Sequence, residues 1–202
     1  MEFLANRVAF LSVLGNRDFR CYSVGLVGAV LGQQMLTATQ AWLVYHITGS
    51  PAAIGLVGAA HAIPGMILSL VGGAFADRFN PRTIIIASQG VSSAIMAGLA
   101  TLVITGHVEV WHIIVATVII GITQGFDSPA RRTVWPPLVR RDQFVHAISI
   151  SQATWNGLRV IAPGFAGLII ATVGSATGDE QTGAGASLYF TFVGFLSMAL
   201  AM

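Results

Sequence analysis

Gln33, Thr37 and Gln40 recur at positions i, i+4 and i+7, and Gln152, Asn156 and Arg159 repeat that spacing. On an α-helix each set falls on one face. Both sets interrupt long apolar stretches. Side-chain amides buried in an apolar medium are costly unless they meet a partner or water. The first set therefore either ties one helix to another or faces a polar surface. Arg159 lies some 15 residues beyond Phe144, about 22 Å along a helix at roughly 1.5 Å per residue. An arginine that deep is a functional residue by default. It binds an anionic group, neutralises a carboxylate or holds a backbone carbonyl. His61 stands alone midway along the Ala52–Phe75 stretch. It either carries a proton near neutral pH or packs as a hydrogen-bonded histidine.

Nothing else in the chain has the spacing of a reaction centre. Serines, histidines and aspartates occur without a nucleophile elbow, an HExxH pair or a phosphate loop. Asp18, Asp77 and Asp142 sit in separate charged segments and do not form a metal set. The single cysteine, Cys21, excludes an internal disulfide. We expect no enzyme activity, no metal and no cofactor.

The elements that must position these residues follow from composition. Hydrophobic residues make up 54% of the 202 and charged residues 9%, against about 25% charged in ordinary globular chains. So few charges cannot cover a soluble surface, whereas a lipid-facing one needs almost none. The net charge of +2 rests on arginine alone, in short clusters between apolar runs. That pattern excludes a nucleic-acid face. Spans need about 20 apolar residues, and six are expected: 21–47, 52–75, 83–105, 109–130, 144–173 and 187–202. The sixth is still apolar at Met202, which suggests a boundary drawn inside a longer protein. Residues 1–20 form a cytoplasmic segment with a short interfacial helix over Val8–Leu14.

The breaks carry their own chemistry. Ser50-Pro51 and Asn80-Pro81 each offer an N-cap side chain and a proline at the first helical position. Ser128-Pro129 and Pro136-Pro137 mark a loop, and Gly174, Gly178, Gly183 and Gly185 a loose connection before the sixth span. Gly55, Gly58, Gly65, Gly72 and Gly73 permit close helix packing. With the N-terminus in the cytoplasm, nine arginines (7, 17, 20, 78, 82, 131, 132, 140 and 141) fall inside. The outer loops carry none, only Glu109, Asp179 and Glu180. This is the positive-inside pattern. The fold class expected is an all-α transmembrane bundle of six helices.

Between the second and third spans the chain reads GGAFADRFNPR, Gly72 to Arg82. This resembles the signature loop of the major facilitator superfamily, with Gly73, Asp77, Arg78 and Arg82 matching and Asn80-Pro81 departing from the usual Gly-Arg. NRDFR at Asn16–Arg20, SPARRTVWPPLVRRDQFVHA at Ser128–Ala147 and IAPGFAGLI in the fifth span resemble the drug- and siderophore-exporter-like branch. The resemblance implies one six-helix half, the N-terminal one, of a two-half transporter that binds a small molecule at mid-membrane and rocks. It implies a lipid bilayer, a C-terminal six-helix half and a small-molecule substrate as partners, in a bacterial plasma membrane. It also implies a gate in which Asp77 meets a helix start in the other half, while Arg78 or Arg82 pairs with Asp127. The first span lines the cavity in this family, so Gln33, Thr37 and Gln40 become candidate substrate contacts. Gln124 joins them, followed by Gly125 as in many exporters, with Gly121 where those carry an arginine. An exporter of amphiphilic molecules is the leading expectation. A metabolite importer and a six-span scaffold that transports nothing are the alternatives.

Overall fold

A computed structural model describes residues 17–134 and 144–202, apart from the side chains of Asp18, Ala76, Asp77, Phe144 and His146. The expected helix at Val8–Leu14 and the Pro136-Pro137 loop lie outside the described residues. Six helices follow one another: α1 (Arg17–Thr48), α2 (Pro51–Arg78), α3 (Pro81–Ile104), α4 (Val110–Val134), α5 (Phe144–Thr177) and α6 (Glu180–Ala201). Among the described residues there is no strand. Helices α2 to α6 are each long and apolar enough to cross a membrane. At 32 residues, α1 has ample length, and it is the helix that carries Gln33, Gln34, Thr37, Thr39 and Gln40. Its polar residues suit a place inside the bundle.

The turns are tighter than the sequence suggests. Gly49, Gly106 and Gly178 take φ of 62°, 71° and 73°, a backbone region open to glycine at little cost. The connection expected to be loose is only Gly178 and Asp179, since α5 runs to Thr177 and α6 begins at Glu180. The Asp179 carboxylate accepts from the backbone N–H of Gln181 and of Thr182, both at 3.1 Å, and so starts α6. Gly183 and Gly185 are buried. A Cβ at Gly183 would lie 3.0 Å from the Ile170 Cα, so this glycine serves close packing against α5. Ser128-Pro129 likewise lies inside α4. The Asp127–Arg131 pair bridges that turn, and the Thr133 hydroxyl donates to the Ala130 carbonyl at 2.8 Å. Asn80 caps α3 as expected, accepting from the Arg82 N–H at 3.0 Å. Ser50 precedes Pro51 without a side-chain cap bond.

Helix α1 packs along α6 and α5, α4 along α2 and α3, and α3 along α6. Helix α5 also packs along α6, whereas the corresponding pair α2 and α3 barely touches; exchanging α1 with α4, α2 with α5 and α3 with α6 returns all the other pairings, the pattern of two three-helix repeats. The closest approaches are glycine-mediated. Gly28 and Gly32 of α1 face Gly194 of α6, and Gly65 and Gly72 of α2 face Gly121 and Gly125 of α4. Gly55, Gly58 and Gly73 have open space where a Cβ would go, so they mediate no such contact. Polar ties join α1 to α6, α1 to α4 and α3 to α4. Thr39 meets Ser187 at 2.7 Å, Gln40 donates to the Thr117 hydroxyl at 3.0 Å, and Ser92 meets Thr123 at 2.8 Å. Three apolar cores result among the described residues. One surrounds Leu43, Met96, Ile113 and Leu188, the second Leu26, Val30, Ile85 and Met198, and the smallest Met35, Ala162 and Ala166.

Candidate functional site

Where the second core opens, α1, α3, α4, α5 and α6 surround a cavity of about 380 Å³. That is within the size range of small-molecule pockets, roughly 300–1,000 Å³. Tyr22, Leu26 and Val30 supply one apolar wall, and Ile148, Trp155 and Phe195 another. The polar lining, called the floor below, comes from Gln33, Gln89, Gln124, Asp127, Arg131, Arg132 and Gln152.

The floor is held from both sides. Gln124 donates its side-chain amide to the Gln33 side-chain carbonyl, joining α4 to α1. Arg131 pairs through Nε with the Asp127 carboxylate one turn before it. Both members are largely buried, their side chains 13% and 8% exposed. A guanidinium and a carboxylate often pair through two parallel bonds. Here Asp127 Oδ1 and Arg131 Nη1 have no partner among the described residues. Gln89, 3% exposed on α3, leaves its Oε1 equally unpaired. A buried polar group without a partner costs about 1–3 kcal/mol. All three atoms are enclosed by their neighbours and shut off from the open space of the cavity. A second cavity, about 490 Å³ between Trp42 and Glu180, has no buried unpaired polar atom among the described residues.

Four of the residues singled out in the sequence meet here: Gln33, Gln124, Gln152 and Asp127. Gln40 is buried in its bond to Thr117, which is the helix-tying role for that residue. Thr37 is exposed and donates to the Gln33 carbonyl of its own helix at 3.0 Å. Asn156 and Arg159 are exposed on α5, beyond Gln152, and do not line the cavity. His61 on α2 is partly buried, with Nε2 unpaired among the described residues. Of the gate loop, Gly73 is partly buried, Arg78 and Arg82 are exposed, and the Asp77 side chain lies outside the described residues. The partner Asp127 takes in this structure is Arg131 rather than Arg78 or Arg82.

Sequence reasoning missed Gln89, Tyr22, Arg131 and Trp155 as cavity residues. A signal for Gln89 was present. Gln89, Ser92 and Ser93 are polar at helical spacing inside an apolar stretch, and all three are buried.

The family model described as transmembrane secretion effector matches residues 9–197. The multidrug efflux pump Tap of Mycolicibacterium fortuitum is 30% identical over 138 residues, 66% of this chain and 34% of that protein. The enterobactin exporter EntS of Shigella boydii is 26% identical over 206 residues, 98% of this chain and 45% of that protein. The Citrobacter koseri exporter of the same name matches to the same extent. The chain thus spans less than half the length of these curated relatives. No solved structure matches. Helical spans, gate-loop motif and a family match over nearly the whole chain agree: the chain belongs to the transmembrane secretion effectors of the major facilitator superfamily, a family of transporters and not of enzymes.

Proposed function

We propose that this chain is the N-terminal six-helix half of a secondary transporter that exports amphiphilic small molecules by alternating access. It sits in a bacterial plasma membrane with its N-terminus in the cytoplasm. The observation that carries the reading is the cavity. It is lined by apolar and aromatic side chains, among them Leu26, Trp155 and Phe195, and by the polar ones of Gln33, Gln124, Gln152 and Asp127. An amphiphile complements both. The names of the relatives, an efflux pump and exporters, favour export over import.

In this reading the C-terminal half covers the faces of α2 and α5, the least buried of the five apolar helices. Gln33, Gln124 and Gln152 contact the substrate, and Thr37, Asn156 and Arg159 line the path that the two halves enclose. Gly73, Asp77, Arg78 and Arg82 form the gate loop that engages Asp127 in one of the two conformations. His61 is the candidate proton carrier. The test is transport by the full-length protein in proteoliposomes carrying a proton gradient. Nile red and ethidium serve as amphiphilic probes. Gradient-dependent movement of at least one is expected, and movement of neither above protein-free liposomes defeats the reading.

A further inference from the structure

The second cavity, about 490 Å³, is also in the size range of small-molecule pockets. It lies where α1 and α5 end and α6 begins, the end of the bundle away from Arg17, Arg20, Arg78 and Arg82. Helix α5 contributes Gly167, Ile170, Ala171 and Gly174, α1 contributes Trp42, and α6 contributes Glu180. The two α5 glycines act differently. A Cβ at Gly167 would meet nothing within 4 Å, so the wall there is open. A Cβ at Gly174 would lie 3.1 Å from the Glu180 Cα and 3.5 Å from its Cγ. The bare backbone of Gly174 thus lets α6 start against α5 and brings the glutamate side chain over this wall.

Both recognition groups are open to a guest. Glu180 is exposed and Trp42 only half-buried. His46 stacks on Trp42, with ring centroids 4.8 Å apart and planes 13° apart, which steadies the indole. The neighbouring Asp179 is spent on capping α6. Glu180 takes part in no ion pair among the described residues, and its place in the first turn of α6 favours a negative charge. No lysine or arginine is at hand to neutralise it: α1 carries none after Arg20, α5 none after Arg159 and α6 none at all. An apolar cavity that offers one carboxylate and one indole complements an organic cation. The carboxylate attracts its charge, and the indole attracts it through the negative face of the ring. A phospholipid with an ammonium head suits the cavity less, because its phosphate would find no cation on these helices.

We propose that this cavity is a second binding site, separate from the one lined by Gln33 and Gln124, and that it takes an organic ammonium ion with an apolar body between Trp42 and Glu180. The test uses three probes of similar shape: benzyltrimethylammonium, the anion benzylsulfonate and the neutral alcohol 2,2-dimethyl-1-phenylpropanol. Their binding to the full-length protein in dodecyl maltoside is titrated by saturation-transfer NMR at pH 8, with empty micelles subtracted. The ammonium should bind at least about tenfold more tightly than either other probe. Glu180→Gln, a change at an exposed position, should bring it to within about twofold of the alcohol. Trp42→Leu should weaken it about fivefold. Raising the salt should weaken it in the wild type and not in Glu180→Gln.

Equal binding of the three probes, tighter binding of the anion, binding of none, or an ammonium preference that survives Glu180→Gln overturns the site. Displacement of the ammonium by dodecylphosphocholine at equal or lower concentration overturns the choice of a free cation over a lipid. Binding is measured without transport, so the two readings fail separately. A protein that binds the ammonium here and moves neither Nile red nor ethidium keeps this site and loses the transport reading. Movement of either dye with no ammonium preference does the reverse.

Discussion

Gln124 on α4 donates its side-chain amide to the side-chain carbonyl of Gln33 on α1, across ninety-one residues of sequence. The two helices barely touch elsewhere, so this bond is their main polar link along the cavity floor, with Gln40–Thr117 further out. Removing one partner leaves the other unpaired, at a cost of about 1–3 kcal/mol, whereas removing both is nearly neutral. Gln33→Leu alone and Gln124→Leu alone are therefore expected to lower the melting temperature of the full-length protein. The double variant should recover most of the loss. Transport should fall at least tenfold in all three, because the cavity floor is changed in each. If the double variant melts no higher than the singles, the bond contributes nothing to stability.

Asp127 has two suitors. Arg131 holds it in this structure, and the gate motif would give it Arg78 or Arg82, both exposed here. A carboxylate exchanged between arginines favours a different conformation with each partner. Asp77→Asn, within the gate loop, should leave expression near wild type and cut transport at least tenfold. Arg131→Gln should instead shift the balance toward the gate pairing. That shift would read out as reduced labelling of an Arg82→Cys probe from the cytoplasmic side. Unchanged transport rates in Asp77→Asn would remove the latch.

The topology can be checked at exposed positions. Single cysteines in the Cys21→Ser background at His107 or Gly178, both exposed, should react with an impermeant maleimide added outside intact cells. Cysteines at Phe79 or Arg132 should react only after permeabilisation. The arginine asymmetry demands this pattern, and its reverse inverts the orientation.

Most of the architecture was legible because hydrophobic runs, N-cap residues and arginine clusters are local signals. Asn80 capping α3 is one example. The misreadings share one cause. In the sequence Gly183, Gly185 and Pro129 read as chain breakers, yet the first two press helices together and the third is carried inside α4. A single sequence does not distinguish a glycine that frees the backbone from one that admits a neighbour. Half of the cavity was legible for the same reason. Gln33, Gln124 and Gln152 are conspicuous amides in spans. Arg131 reads as interfacial although its i, i+4 spacing from Asp127 is visible in the sequence, and only the packing of α3 on α4 brings Gln89 into the same lining.

Asp179 gives a pH signature at the start of α6. The Thr182 hydroxyl, and after it the Gln181 N–H, hold its carboxyl below the ordinary value of 3.8. The folded state thus binds this proton less readily than the unfolded one. The cap's contribution is complete above the unfolded value and fades as pH falls through the lower folded one. Asp179→Ala should lower the melting temperature by on the order of 2 °C at pH 7. That gap should hold down to pH 5 and shrink below about pH 4. A gap that widens in acid contradicts the cap.

Arg159 lies seven residues beyond Gln152 on α5, about 10 Å further along the helix. It is exposed in the isolated half. Exposure here has two meanings. Facing lipid at mid-depth, the guanidinium would cost about 2.5–3.5 kcal/mol even on the mildest scale. Facing the space between the halves, it would meet water, a carbonyl or an acid. The neighbouring positions decide between them. Gln152 borders the cavity, Asn156 shares its side of the helix, and Ala162 and Ala166 just beyond are buried against Met35 of α1. Leu168, Ile161 and Phe165, which are exposed and apolar, occupy the directions suited to lipid. We therefore propose that Arg159 belongs to the polar edge and serves the transport path. Arg159→Gln should keep expression and melting temperature while changing transport at least tenfold. Arg159→Lys should restore only part of it, because an ammonium keeps the charge without the planar fork of donors. Measured side by side in proteoliposomes, a fully active Arg159→Gln protein would reduce the residue to a structural one. Full rescue by lysine would show that charge alone suffices.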